Sequence, residues 1–120
     1  MDYTIRLGAS RRYVETHMHS PVTKELALKS QTDANKLAAQ HDLTRFLVDV
    51  RGISTQTGTL GDVLVAEGLR KTGMPLSSMI AVLASPNDSQ HDFIEKAAQN
   101  RGIILRVFKD EDAAVAWLSG

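Results

Sequence analysis

The chain of 120 residues contains no cysteine and only three prolines, and its aromatic side chains are three phenylalanines, two tyrosines and one tryptophan. The missing cysteine excludes a disulfide framework, a thiolate metal site and a cysteine nucleophile. Charge of either sign is not in excess: 14 Lys+Arg face 14 Asp+Glu, and neither half of the chain is a basic block. A nucleic-acid or anionic-membrane binder needs a net basic surface, so this balance argues against both. Long hydrophobic runs are also lacking. Met79–Ala84, among the longest, has the length of a strand and is far short of the roughly 20 residues of a membrane-spanning helix. Met1–Ser10 is polar and interrupted, without the apolar stretch of a signal peptide. These features lead to the expectation of a soluble, cytoplasmic protein of one domain, long enough to bury a core without staples.

What is present is a regular alternation of strand and helix patterns. Tyr3–Leu7 alternates, the Gly8–Ser10 stretch signals a turn, and Arg12–His19 alternates again with Val14, Thr16 and Met18 on one face. The opposite face carries Tyr13, Glu15, His17 and His19, the half-buried pattern of antiparallel strands. A helix follows, with Thr23 as N-cap, Glu25 in its first turn and a small-residue face of Leu26, Ala27, Ser30, Ala34, Leu37, Ala38 and His41. Phe46–Val50 and Met79–Ala84 are near-continuous apolar runs, the mark of parallel strands covered on both faces. Leu60–Thr72, with Gly73 as C-cap, reads as a helix between them. Ser89 and Asp92 open a third helix, which carries Phe93, Ile94, Ala97 and Ala98 on its apolar stripe. Ile103–Phe108 is the last strand. Asp110 caps a final helix whose expected core face is Ala113, Ala114, Trp117 and Leu118. The expected fold is α/β: a single domain with a mixed, mostly parallel sheet of about five strands in the order β-β-α-β-α-β-α-β-α, the first strand antiparallel at one side.

Several strings in this order resemble the SpoIIAA-like (STAS-type) family. They are S-P-V-T-K-E at Ser20–Glu25, F-L-V-D-V-R-G at Phe46–Gly52, M-I-A-V-L at Met79–Leu83, and L-R-V-F-K-D-E-D-A-A-V-A-W-L at Leu105–Leu118. The resemblance spans nearly the whole chain and looks like a stand-alone bacterial member. It implies a small α/β domain, and in the family's best-known members a regulator that binds a partner kinase and is phosphorylated on a serine of an Asp-Ser-Ser-Gly string. Here the corresponding stretch is S-T-Q-T-G-T at Ser54–Thr59, and either alignment puts Gln56 or Gly58, not serine, at the phosphoacceptor position. The phosphoregulation is therefore not carried over. Related domains are similar to lipid-transfer folds, which keeps a small apolar ligand open as the alternative.

The stretch after the central strand is the candidate site. In open α/β sheets, ligands and partners meet the protein at the carboxyl ends of the strands. Gly52, Ser54, Thr55, Thr57 and Gly58 supply hydroxyls and flexible backbone there, although any capping loop draws on the same residue types. No lysine follows the glycines as a P-loop requires. Asp49, inside an apolar strand, is either a general base or a carboxylate paired with Arg51, Arg45 or a backbone N–H. A receiver domain also has an acidic residue on a central strand, with a lysine where Lys109 stands. It needs an acidic pair after the first strand as well, where this chain has Leu7-Gly8-Ala9. His17 and His19, two apart on a strand, share a face and could begin a metal site with Glu15, although solvated histidines are the plainer reading. His41 reads as a cation at the negative end of the helix dipole and His91 as exposed. There is no Gly-x-Ser-x-Gly elbow and no readable catalytic triad. Phe46, Phe93, Phe108 and Trp117 fall at core positions, so only Tyr3 and Tyr13 remain for base stacking.

The expected function is a non-enzymatic regulatory or adaptor module without cofactor or metal, binding a protein partner through this loop. The alternative is a small apolar or lipid-like ligand held between Leu60–Thr72 and the sheet. Homo-oligomerisation stays open, since a short first strand at the sheet edge can pair with a second copy, against which Arg6 in its middle works.

Overall fold

The computed structural model describes residues 2–53, 77–87, 92–99 and 103–119. The expected helix Leu60–Thr72, its cap Gly73, and the residues Ser89, His91 and Gly102 lie outside them. Within them run β1 (Tyr3–Leu7), β2 (Val14–Met18), α1 (Lys24–Gln40), β3 (Arg45–Asp49), β4 (Met79–Leu83), α2 (Asp92–Gln99), β5 (Ile104–Phe108) and α3 (Glu111–Ser119). The strands form one sheet in the order β1-β2-β3-β4-β5. β1 pairs antiparallel with β2, and every later pair is parallel.

Helix ends follow their local chemistry. Thr23 Oγ1 accepts the Leu26 N–H at 3.2 Å, which satisfies one of the unpaired donors of the first turn. At the other end Asp42 adopts φ 55°. The Leu43 N–H returns to the Ala38 carbonyl and the Asp42 N–H to that of Ala39, a Schellman closure that uses the tolerance of aspartate for the left-handed region. Asp110 Oδ2 accepts the Ala113 N–H at 3.1 Å and opens α3. The last turn of α3 contains no basic residue. Its cations come from elsewhere: the guanidinium groups of Arg45 and Arg12 donate to the carbonyls of Leu118 and Ser119, where positive charge is favoured by the helix dipole.

Among the described residues, the sheet is covered unequally. On one face Val14, Phe46, Val48, Ile80, Val82 and Leu105 form a continuous core with Ala27, Ala34 and Ala38 of α1 and Ala98 of α2. On the other, Leu47, Ala81 and Leu83 pack against Ala114 and Leu118 of α3. That helix reaches β3, β4 and β5. β1 and β2 carry polar side chains on this second face. The apolar runs of β3 and β4 are thus explained, because both strands are covered on two sides.

Four expectations need correction. Ala113 is exposed, since the buried positions of α3 are Ala114 and Leu118, one helical turn apart. His41 is exposed as the C-cap of α1, and buried Gln31 joins the small-residue face. Phe108 and Trp117 are only partly buried, their ring centroids 5.6 Å apart and the planes tilted by 47°. Tyr13 is 1% exposed, not on an open face, so it is not available for base stacking.

The burial of Tyr13 sets the shape of the first hairpin. The Gly8 N–H donates to the Tyr13 carbonyl, and Arg11, at φ 59°, donates to that of Gly8. The phenol ring lies directly over Gly8, where a Cβ would come within 2.2 Å of it. The ring is buried in one cluster with Leu47, Ala114 and Leu118. Gly8→Ala is therefore expected to destabilise the protein by about 2–4 kcal/mol, above the usual cost of one overpacked methyl. Urea unfolding followed by tyrosine fluorescence measures this, with Ala9→Gly, at an exposed position, as a control of small effect.

Candidate functional site

The carboxyl ends of the parallel strands converge on Asp49, the last residue of β3. It is 7% exposed, and a buried carboxylate is costly unless it is paired. The pairing is local. Asp49 Oδ1 accepts the backbone N–H of Arg51 and its Nε–H, both at 3.0 Å, and Oδ2 accepts from Nη2 at 2.7 Å. Of the three partners anticipated, Arg51 supplies both side chain and backbone, and Arg45 is occupied at the end of α3. Burial pushes the Asp49 carboxyl up, and the hydrogen bonds and charge of Arg51 outweigh that and hold it below its ordinary range.

This pairing bends the chain. The Ile53 N–H donates to the Val50 carbonyl at 3.0 Å, closing a turn in which Gly52 has φ 72°. A positive φ at that place in a turn calls for glycine. The Gly52 N–H in turn donates to Ser85 Oγ, just beyond β4, at 2.9 Å. Of the loop residues expected to form the site, Gly52 is therefore pinned to the neighbouring strand end. Ser54, Thr55, Thr57 and Gly58 lie outside the described residues.

From Asp49 a line of charges runs across the sheet on the side of α3. His17, its register partner on β2, places Nδ1 3.3 Å from Asp49 Oδ2 and Nε2 3.1 Å from Glu15 Oε2. Glu15 accepts from Arg6 Nε at 2.9 Å and from the Tyr13 hydroxyl at 3.3 Å. At the other end Arg51 Nη2 donates to Glu111 Oε1 at 3.0 Å, on the first residue of α3. The row Arg6–Glu15–His17–Asp49–Arg51–Glu111 brings three strands and a helix together with signs that alternate around the imidazole. A neutral imidazole has one N–H and can donate to one carboxylate, whereas the imidazolium donates to both. Burial raises the Glu15 carboxyl, and its bonds to Arg6 and His17 bring it below the ordinary value. Burial and the neighbouring Glu15 raise the Tyr13 phenol, which stays the donor.

The two histidines of the H-x-H pair part company here. His17 sits between carboxylates, while His19 contacts Thr4 Oγ1 at 2.7 Å. Among the described residues, no group of three His, Cys, Asp or Glu side chains is disposed to hold a metal ion. The sequence marks Arg6 only as a guard of the sheet edge, and it does not mark Glu111. The Arg6–Glu15 contact follows from hairpin register, and Glu111 reaches Arg51 only through the docking of α3.

No family model matches the chain, and neither a curated protein nor a solved structure is found to be similar to it.

The depressed Asp49 and Glu15 carboxyls predict an acid-sensitive tie. A carboxyl whose value is lowered on folding contributes stability that is complete above its unfolded value and is lost as pH falls through the folded one. The loss is therefore expected below about pH 4. Asp49→Asn should cost about 1.5–3 kcal/mol at neutral pH, the range for hydrogen bonds to charged groups, and should flatten the decline toward acid. Chemical denaturation at pH 7 and pH 3 tests both.

Proposed function

We propose that this chain is a non-enzymatic regulatory or adaptor module of the cytoplasm. It binds a protein partner at the carboxyl end of the central strand, through Gly52 and the Ser54, Thr55, Thr57 and Gly58 stretch that follows. The observation that carries this reading is the anchored turn at Gly52, held at φ 72° and tied to Ser85. A turn fixed at the carboxyl end of a parallel sheet is where α/β domains present recognition elements. The charges beside it point the same way. Asp49 and Glu15 are committed to Arg51, Arg6 and His17, so they serve structure rather than acid–base chemistry on a substrate. The resemblance of the Phe46–Gly52 and Leu105–Leu118 strings to SpoIIAA-like regulators agrees with a partner-binding role.

The apolar-ligand alternative places its ligand between Leu60–Thr72 and the sheet, and Leu60–Thr72 lies outside the described residues. The core beneath α1 is a different place. The cavity lined by Thr16, Met18, Val22, Ala27, Val48 and Val50 has a volume of about 10 Å³, room for a single water and nothing larger.

The test is co-purification from the native host with the tagged chain and with a Ser54/Thr55/Thr57→Ala variant. A partner retained by the first and lost by the second, with circular dichroism unchanged, is the expected result. Equal retention by both refutes the reading. So does native mass spectrometry that finds an extracted lipid bound in stoichiometric amount, which would favour the apolar-ligand alternative.

A further inference from the structure

The two edges of the sheet are treated differently. On β5 the Val107 N–H points away from β4, because the neighbouring Phe108 carbonyl accepts from Ala84. The Glu95 carboxylate of α2 reaches over and accepts that N–H at 2.9 Å. A side chain on an edge donor is a common guard against strand addition. On β1 the Gly8 N–H and the Asp2 carbonyl bond inward, to the Tyr13 carbonyl and the His19 N–H. Peptide groups alternate along a strand, so Tyr3, Ile5 and Leu7 direct their N–H and C=O groups outward. Among the described residues, no strand pairs with that side of β1. Arg6, expected to guard the edge, is engaged across the sheet with Glu15.

We propose that the β1 edge, with the flank of α1 beside it, docks a second copy of this chain about a twofold axis near Ile5. Tyr3 then pairs with Leu7 of the second copy and Ile5 with its own counterpart, so every outward peptide group of the strand finds a partner. These three side chains are half-buried against the α1-side core, and the pairing covers what remains of them.

The flank of α1 is self-complementary about the same axis. Leu26, Lys29, Asp33 and Leu37 recur at helical spacing on one side of α1. That side faces the β1 edge: Tyr3 donates its hydroxyl to Asp33, and Lys29 and Asp33 line an open groove of about 510 Å³ with Asp2, Tyr3, Thr4 and Ile5. Run antiparallel against itself, the stripe sets Leu26 on Leu37 and Lys29 on Asp33, apolar to apolar and cation to anion. The spacing fits as well. α1 packs on β1 and β2 alike, so with strands about 4.8 Å apart its axis lies about one strand spacing from the dyad. Two such helices sit about 10 Å apart, the usual separation of packed helices. The dimer is a ten-stranded sheet in which the groove is filled by the second α1. It leaves the Gly52 turn free, and its test is independent of partner binding there.

Sedimentation equilibrium of the full chain over a concentration series tests the proposal. A concentration-dependent dimer is expected. Lys29→Asp places like charges across the axis and should weaken it roughly ten-fold or more. Asp33→Lys does the same with the opposite sign, and an equimolar mixture of the two variants restores opposite charges at both contacts and should recover the dimer. Circular dichroism checks that each variant is folded. Should Asp33→Lys fold poorly through loss of its bond from Tyr3, the exposed Lys29→Asp decides alone. A chain that stays monomeric up to its solubility limit overturns the proposal, as does a dimer whose affinity Lys29→Asp leaves unchanged.

Discussion

A buried carboxylate at the end of the central strand sets the terms for the rest of this structure. Asp49 stands where the two-sided core gives way to solvent, and an unpaired charge there would cost several kilocalories. Arg51 meets it with backbone and side chain at once, and that bite turns the chain out of the sheet. The turn at Gly52, its tie to Ser85, and the reach of Arg51 to Glu111 all follow from it. One carboxylate thus holds together the end of β3, the Gly52 turn and, through Arg51, the first residue of α3.

Among the described residues, α3 leaves its side of β1 and β2 to polar side chains. That helix spans Glu111–Ser119 and packs on β3, β4 and β5. The first hairpin must stay soluble on that side and yet be held to the sheet. Charges of alternating sign do both: Glu15 and His17 carry the line from Arg6 to Asp49, while Tyr13 tucks beneath it over Gly8. The face is polar without being strongly charged, since each carboxylate has a cation or imidazole beside it. This agrees with the overall neutrality of the chain. Recognition on such a surface rests on shape and hydrogen bonding, because there is little net field to steer an ion or a polyanion.

Arg45 and Arg12 show the same economy at the opposite end of the sheet. α3 lacks a basic residue in its last turn, and two arginines distant in sequence donate to its final carbonyls. Their role depends on α3 docking across β3, just as α3 depends on them for a satisfied C-terminus. The helix and this end of the sheet are stabilised together, which is the cooperativity expected when capping is tertiary rather than local.

The architecture was legible along the chain because its signals are local. Alternation in Tyr3–Leu7 and Val14–Met18 marks half-buried strands, near-continuous apolar runs at Phe46–Val50 and Met79–Ala84 mark doubly covered ones, and Thr23 and Asp110 mark helix starts. Each rests on a periodicity or a cap within a few residues, and each agrees with the sheet that forms. The Asp49–Arg51 pair was legible for the same reason, being two residues apart. Tyr13 was misjudged because its strand pattern placed it with Glu15 and His17, whereas the absence of a side chain at Gly8 opened a pocket that only the closed hairpin creates. The line from Arg6 to Glu111 was hidden because it joins residues by strand register and helix docking, which bring distant positions within hydrogen-bond reach. Periodicity along one chain specifies which face of an element is buried. It does not specify which charges meet across neighbouring elements, and in this protein those meetings build the surface at the end of the central strand.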